Sequence, residues 1–290
     1  MRMTTKLRER LGRREILIAP GAHDALAAKI IKRAGFEALY MTGAGVAYTT
    51  LGKPDIGLIT MSEMAQKASY ICEAAELPVI ADGDTGYGNA LNVKRTIREY
   101  ERAGVACIQL EDQVMPKRCG HMAGKVLISA EEMVGKIKAA CDARKDPDFL
   151  IMARTDARSV AGLQEALARA RLYREAGADI LFIEAPQSAD EMRQICLEFK
   201  EVPLLANMVE GGKTPLHPAK DLEAMGYRIV IYPGAACRVI AKALTGLMEE
   251  IKRTGTTQGY LDRMYVFGEL NEILELRKIQ EDENRYLPRK

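Results

Sequence analysis

Residues 103–113 read Ala103-Gly104-Val105-Ala106-Cys107-Ile108-Gln109-Leu110-Glu111-Asp112-Gln113, and their order decides the fold. A helical segment ends at Ala103-Gly104, where glycine takes the left-handed conformation that closes a helix. The run Cys107-Ile108-Gln109-Leu110 is short and largely aliphatic, as a strand buried on both faces should be. Two carboxylates follow at once, so a strand delivers polar groups at its C-terminal end.

Working outward, the same order recurs. Ala34-Gly35, Ala176-Gly177 and Met225-Gly226 also close helical segments just ahead of a strand. The other apolar runs are Ile16–Ala19, Ala38–Met41, Pro78–Ala81, Leu150–Ala153, Ile180–Ile183, Pro203–Ala206 and Ile229–Tyr232, which makes eight strands in all. Helical spacing lies between them, for example over 130–143 and 162–176. Eight strand–helix units imply an α/β fold, a parallel (β/α)8 TIM barrel; an open doubly wound sheet is the alternative. Extra helices follow the eighth strand. No Pro/Ser-rich linker interrupts the chain, so 1–290 reads as one domain, with a barrel core at about 15–250 and C-terminal helices at about 251–290.

The chain has 290 residues, with 42 Lys+Arg against 40 Asp+Glu and a formal net charge of +2. That balance argues against a nucleic-acid binder, which needs a basic excess. No apolar stretch approaches the ~18 residues of a membrane span. Six cysteines, at 72, 107, 119, 141, 196 and 237, form no CxxC pair. They fit a reducing, cytoplasmic compartment. Residues 1–15 are Arg-rich, but Glu9 and Glu15 count against a mitochondrial presequence. A short surface helix is expected there.

In a barrel the chemistry lies on the loops after the strands, and polar residues gather at that end. The rim contains His23-Asp24, Thr42-Gly43-Ala44-Gly45, Asp82-Gly83-Asp84, Glu111-Asp112-Gln113, Arg154-Thr155-Asp156, Glu184, and Asn207 with Glu210. Asp82, Asp84 and Glu111 offer three hard oxygen ligands suited to Mg²⁺, and Mn²⁺ would also fit. A plain Asp-Gly turn is the competing reading of the first two. Only three histidines are present and none has zinc-type spacing.

Lys117-Arg118-Cys119-Gly120-His121 is the most unusual stretch. A cysteine beside two cations should have a depressed pKa and serve as nucleophile or proton carrier. Gly120 and Gly124 suit a moving lid. The other five cysteines read as small core residues. Arg154 leaves a buried strand and must hold a carboxylate, either a substrate's or that of Glu184. Thr42-Gly43-Ala44 presents amides and a hydroxyl fit for a carboxylate, although an ordinary turn would look the same.

Together, the Asp82–Gly88 loop, Glu111-Asp112-Gln113 and Lys117–His121 resemble the isocitrate lyase/phosphoenolpyruvate mutase superfamily. The likeness runs from Pro20 to Asn271. It implies a Mg²⁺-dependent barrel, a homotetramer that exchanges a helix between subunits, and a small di- or tricarboxylate substrate. It also implies roles. Asp82 and Asp84 hold the metal with Glu111 nearby. Thr42, Gly43, Ala44 and Arg154 bind the pyruvyl moiety, with Tyr40 as a base. Cys119 is the general acid, with Arg118, Gly120 and His121 beside it, and Glu184, Asn207 and Arg238 line the pocket.

The implied reaction is carbon–carbon cleavage of a 2-hydroxy acid, because phosphoenolpyruvate mutases as a rule lack this cysteine. Methylisocitrate lyases carry an arginine where this chain has Phe267, within Met264-Tyr265-Val266-Phe267-Gly268-Glu269-Leu270. Losing that cation should reject a third carboxylate. A 2-alkylmalate such as 2,3-dimethylmalate is therefore expected, giving pyruvate and propionate. The alternatives are 2-methylisocitrate cleavage, oxaloacetate hydrolysis and phosphoryl transfer on carboxyvinyl-carboxyphosphonate.

Overall fold

A computed structural model describes residues 1–287; the last three of the expected C-terminal helical stretch lie outside the described residues. The elements alternate along the chain. Helix α1 (Met3–Leu11) precedes β1 (Leu17–Ala22), α2 (Ala25–Arg33), β2 (Leu39–Met41), α3 (Gly43–Leu51), α4 (Met61–Ala75) and β3 (Val79–Asp82). Then come α5 (Ala90–Arg102), β4 (Cys107–Glu111), α6 (Ala130–Ala143), β5 (Leu150–Thr155), α7 (Ala157–Ala161), α8 (Leu163–Glu175) and β6 (Ile180–Ile183). The series continues with α9 (Ala189–Glu198), β7 (Leu205–Asn207), α10 (Ala219–Met225), β8 (Ile229–Tyr232) and α11 (Ala235–Thr254). A 3₁₀ turn (Gln258–Arg263), α12 (Phe267–Ile273) and α13 (Leu276–Tyr286) complete it.

The strands pair in parallel in the order β6-β5-β4-β3-β2-β1-β8-β7. A parallel bridge between Leu181 and Leu204 joins the two ends of that order, with the Leu181 amide donating to the Pro203 carbonyl at 3.1 Å. The result is the expected (β/α)8 barrel. Gly35, Gly104, Gly177 and Gly226 all have positive φ (85°, 88°, 111° and 120°), which is why glycine stands where each helix hands over to a strand.

Period-two alternation divides the strand residues between two cores. Leu17, Tyr40, Ile80, Met152, Phe182 and Ile231 point into the barrel. Val79, Ala81, Ile108, Leu110 and Ile151 point outward, under the helices. Each buried large side chain contributes about 1.5–3 kcal/mol, so the framework is rigid enough to fix polar groups at its rim.

Helix α1 departs from expectation. It is helical but is no surface helix, since Leu7 and Leu11, one turn apart on one face, belong to the barrel's inner core. Its polar side docks on acids near the ends of other units. Thr4 donates to Asp146 (2.7 Å), Thr5 to Asp148 (2.6 Å), and Arg8 to Asp179 (3.1 Å).

The chain divides into two compact units, Met1–Ala235 and Ala236–Lys290, with the division near the start of α11. In the second unit, Tyr260 folds back on α11 and donates to the Ala243 carbonyl at 3.2 Å. This unit leaves Val239, Leu244, Met248 and Phe267 exposed, the last at 86%. Among the described residues, no helix is long and apolar enough to cross a membrane.

Candidate active site

The strand ends of the first unit carry a ring of buried charge. Asp55, Asp82, Asp84, Glu111, Asp156 and Glu184 are all buried there, with Lys117, Lys125 and Arg154 among them. Six carboxylates against three cations leave the rim electrically incomplete.

Asp82 ends β3, and its Oδ1 accepts from the Asp84 amide (3.0 Å) and from Gln109 Nε2 (3.2 Å). Its carbonyl is held by the Tyr100 phenol at 2.9 Å. Between the two aspartates only glycine fits, because a Cβ on Gly83 would lie 2.8 Å from the Gln109 carbonyl oxygen. Asp84 sits at φ 46°, with Oδ1 3.0 Å from Lys117 Nζ. Burial pushes its carboxyl up to about 6, against the pull of Lys117 and with help from Asp82 and Asp55. Burial likewise raises Glu111 well above the usual carboxylate range, with Arg154 and Lys117 opposing. Glu111 Oε1 accepts from Gln113 Nε2 at 2.9 Å, and Oε2 lies 3.2 Å from Arg154.

Among the described residues, Asp84 Oδ1 and Glu111 Oε2 are met only as ion pairs, by Lys117 (3.0 Å) and Arg154 (3.2 Å), and Asp84 Oδ2 is buried without a hydrogen-bond partner. Hard, under-satisfied oxygens of this kind suit a divalent cation. Among the described residues, no three His, Cys, Asp or Glu are gathered closely enough to enclose an ion alone.

Beside these carboxylates lies the start of α3. Thr42 caps it by accepting from the Gly45 amide at 3.2 Å. The Gly43 and Ala44 amides, in the first turn, have no helical acceptor. A Cβ on Gly43 would lie 2.6 Å from Asp82 Oδ2, so the helix can approach this closely only with glycine there. Free amides and the helix dipole favour an anion at this spot.

Arg154 crosses the pocket. Its Nε and one terminal nitrogen donate to Asp156 at 3.0 and 3.1 Å. Further contacts reach Glu111 (3.2 Å) and Glu184 (3.4 Å), and the guanidinium lies 5.2 Å from the Phe182 ring centroid. Burial works against this cation, but Asp156, Glu111 and Glu184 outweigh it and hold it firmly charged.

Residues 113–128 arch over the opening. Gln113 grips the base of this lid, donating to the Arg118 carbonyl (2.8 Å) and accepting from the Arg118 amide (3.0 Å). Lys117 pairs with Asp55 as well as Asp84. Gly120 rests against the pocket so tightly that a Cβ would lie 2.5 Å from Arg154 and 2.7 Å from Glu184. His121 Nδ1 accepts from the Lys213 amide at 3.1 Å, and Nε2 lies 3.6 Å from Glu184. Burial lowers its pKa, so the ring is neutral near pH 7.

A family model described as phosphoenolpyruvate phosphomutase matches residues 7–252. The chain belongs to that family. A relative named 2,3-dimethylmalate lyase, from Eubacterium barkeri, is 56% identical over 99% of both chains. A 2-methylisocitrate lyase from Aeropyrum pernix is 50% identical over 92% of this chain and 86% of the other. Among solved structures, a 2,3-dimethylmalate lyase described as a PEP mutase/isocitrate lyase superfamily member superposes with TM-score 0.94 at 40% identity, covering 98% of this chain and 95% of that one. A phosphonopyruvate hydrolase bound to oxalate and Mg²⁺ superposes with TM-score 0.90 at 32% identity, covering 99% and 100%. The resemblance to the isocitrate lyase/phosphoenolpyruvate mutase superfamily is thus upheld, and the chain is an enzyme of the carbon–carbon lyase class.

Within this family framework, the structure brings Tyr40, Thr42, Gly43, Ala44, Asp82, Asp84, Glu111, Cys119, Gly120, His121, Arg154, Glu184 and Asn207 to the C-terminal side of the barrel. Arg118 is on the lid but exposed, donating to the Ala123 carbonyl at 3.3 Å. Arg238 stands on α11, in the second unit. Two expectations change. The Cys119 thiol is raised, not depressed: burial dominates, Lys117 is turned away to Asp55 and Asp84, and Arg118 faces outward. Tyr40 is buried and its phenol, raised well above its usual value by burial and Asp82, donates to Gln109 at 2.8 Å. It is a donor at neutral pH and no base. Arg154 resolves toward the protein's own carboxylates, with Asp156 as the main partner. Sequence reading assigned no role to Asp55, Gln109, Lys125 or Asp156; an aspartate one position beyond Arg154-Thr155 was the available signal for the last.

Proposed function

We propose that the chain cleaves a 2-alkylmalate, 2,3-dimethylmalate by preference, to pyruvate and propionate. The observation that carries this reading is the meeting of under-satisfied carboxylate oxygens with the free amides of α3 under a cysteine-bearing lid. The 56% identity to a 2,3-dimethylmalate lyase supports the substrate, as does Phe267 in place of a cation.

The α3 amides, the Thr42 hydroxyl and Arg154 hold the C1 carboxylate and C2 oxygen. Tyr40, kept protonated, orders Gln109 and through it Asp82. A divalent cation, Mg²⁺ or Mn²⁺, held by Asp82 and Asp84 with Glu111 near, would polarise the substrate oxygens. The C2 hydroxyl gives its proton to a rim carboxylate, Glu111, which burial makes more basic, C2 becomes the pyruvate ketone, and the C2–C3 electron pair passes to C3. The Cys119 thiol gives its proton to C3, completing the propionate methylene. A raised thiol pKa suits this task, since the acid must arrive protonated. Gly120 and neutral His121 close the lid above it, and Glu184 and Asn207 complete the pocket wall.

The exposed apolar residues of the second unit support a homotetramer built by helix exchange. The six free cysteines support a reducing, cytoplasmic setting, and one domain over 1–290 is proposed alongside it. Light scattering in solution tests the assembly. The catalytic test is pyruvate release from a panel of alkylmalates, oxaloacetate and 2-methylisocitrate, with Mg²⁺ removed and restored. Dimethylmalate should be turned over best and only with metal. Turnover of 2-methylisocitrate alone would overturn the assignment in favour of the activity named for the A. pernix relative.

A further inference from the structure

One closed circuit of contacts joins the lid to the arginine in the pocket. Lys125, buried at the far end of the lid, donates to Asp156 Oδ1 at 2.7 Å and also to the Gly120 carbonyl. Asp156 uses the same carboxylate to grip Arg154 through two nitrogens. Gly120 packs directly on Arg154 and closes the circuit.

The circuit has a fixed foundation. Asp112 Oδ1 accepts from the Asp156 amide at 2.9 Å. Its Oδ2 accepts from the Thr155 hydroxyl (2.7 Å), the Tyr173 phenol (2.7 Å) and Arg169 (3.2 Å). Asp156 therefore cannot follow a moving lid; Lys125 must release one partner or the other. An ammonium out of water needs both. Raising the lid breaks one of the two contacts of Lys125 and loosens the packing over Arg154 in one motion.

We propose that Lys125 is a positioning residue for the lyase reaction, coupling the closed lid to the orientation of Arg154 through Asp156. The proposal rests on the reading of the site given above. It makes acid delivery by Cys119 and substrate grip by Arg154 a single event, because the residue beside Cys119 and the partner of Arg154 share one ammonium.

The test compares Lys125→Met and Lys125→Arg with the wild-type enzyme. In the substrate-free Met variant, hydrogen exchange of amides 118–124 should speed up by about tenfold to a hundredfold, the shift expected from losing a charged hydrogen bond. Exchange in β3 and β4 should not change. The kcat for the alkylmalate should fall by a similar factor with a smaller change in KM, and Lys125→Arg should recover most of both. Lid exchange within about twofold of wild type in a folded Met variant would overturn the proposal. Should that variant not fold, Lys125→Gln, which keeps a donor but not the charge, takes its place with the same two outcomes: faster exchange of amides 118–124 supports the proposal, and exchange within about twofold of wild type overturns it. Exchange needs no substrate, so a wrong substrate assignment shows separately, as absent pyruvate release from the wild type.

Discussion

The two ends of the barrel treat buried charge in opposite ways. At the N-terminal end, α1 stoppers the barrel with Leu7 and Leu11, and its polar groups find matched partners in Asp146, Asp148 and Asp179. Asp179 is further neutralised by Arg144 at 2.7 Å. At the C-terminal end, Asp84 Oδ2 is buried without a hydrogen bond, Asp84 Oδ1 and Glu111 Oε2 are met only as ion pairs, and both carboxyls are raised by burial. One end is largely paired, with Arg8 Nε the exception at 3.6 Å from Asp148, and is structural. The other is held in tension by the framework, which a site awaiting a cation and a dianion requires.

If that division is right, variants at the two ends should separate activity from stability. The largest effect is expected for Cys119→Ala, with pyruvate release falling by about 10²–10⁴-fold, the range of general acid catalysis, and a melting temperature close to wild type. Full activity would remove Cys119 from its role. Leu7→Ala should do the reverse, costing about 2–5 kcal/mol in denaturant unfolding with kcat unchanged. A loss of kcat in the folded variant would show that the two ends are not independent.

The pH response follows from Asp84. Its folded pKa, about 6, lies above its usual value. Its share of metal-free stability is therefore full below pH ~4 and lost as pH rises through about 6, a change of about 3 kcal/mol. A divalent cation should reverse that loss, so Mg²⁺ should raise the melting temperature more at pH 7.5 than at pH 5. An equal shift at both values would separate the metal from Asp84. The smallest effect is Thr5→Val, which removes one partly buried hydrogen bond to Asp148 and should cost about 1 kcal/mol without altering Mg²⁺ dependence.

The barrel was legible because its signals are local. Residues 130–143 and 180–183 form a helix and a strand as the periodicity predicts, and the glycines at 35, 104, 177 and 226 have the backbone that helix termination requires. The rim was legible for the same reason, since each candidate follows a strand. What escaped sequence reading depends on partners distant in the chain. Cys119 has two cations as sequence neighbours, yet Lys117 is claimed by Asp55, 62 positions away, and the thiol responds to burial instead. Lys125 and Asp156, 31 positions apart, show no motif, and only the closed lid makes them a pair. Helix α1 looked like a surface helix because its arginines dominate, whereas two leucines on one face decide where it sits.

The stopper helix also sets a clock. Thr4 meets Asp146 across 142 positions, and Arg8 meets Asp179 across 171. At the ~5–20 residues per second of ribosomal synthesis, the partners of α1 emerge roughly ten to thirty seconds after the helix itself. Through that interval Leu7 and Leu11 have no core to enter. Closing the floor of the barrel is consequently a late step in the birth of the chain, although its parts are made first.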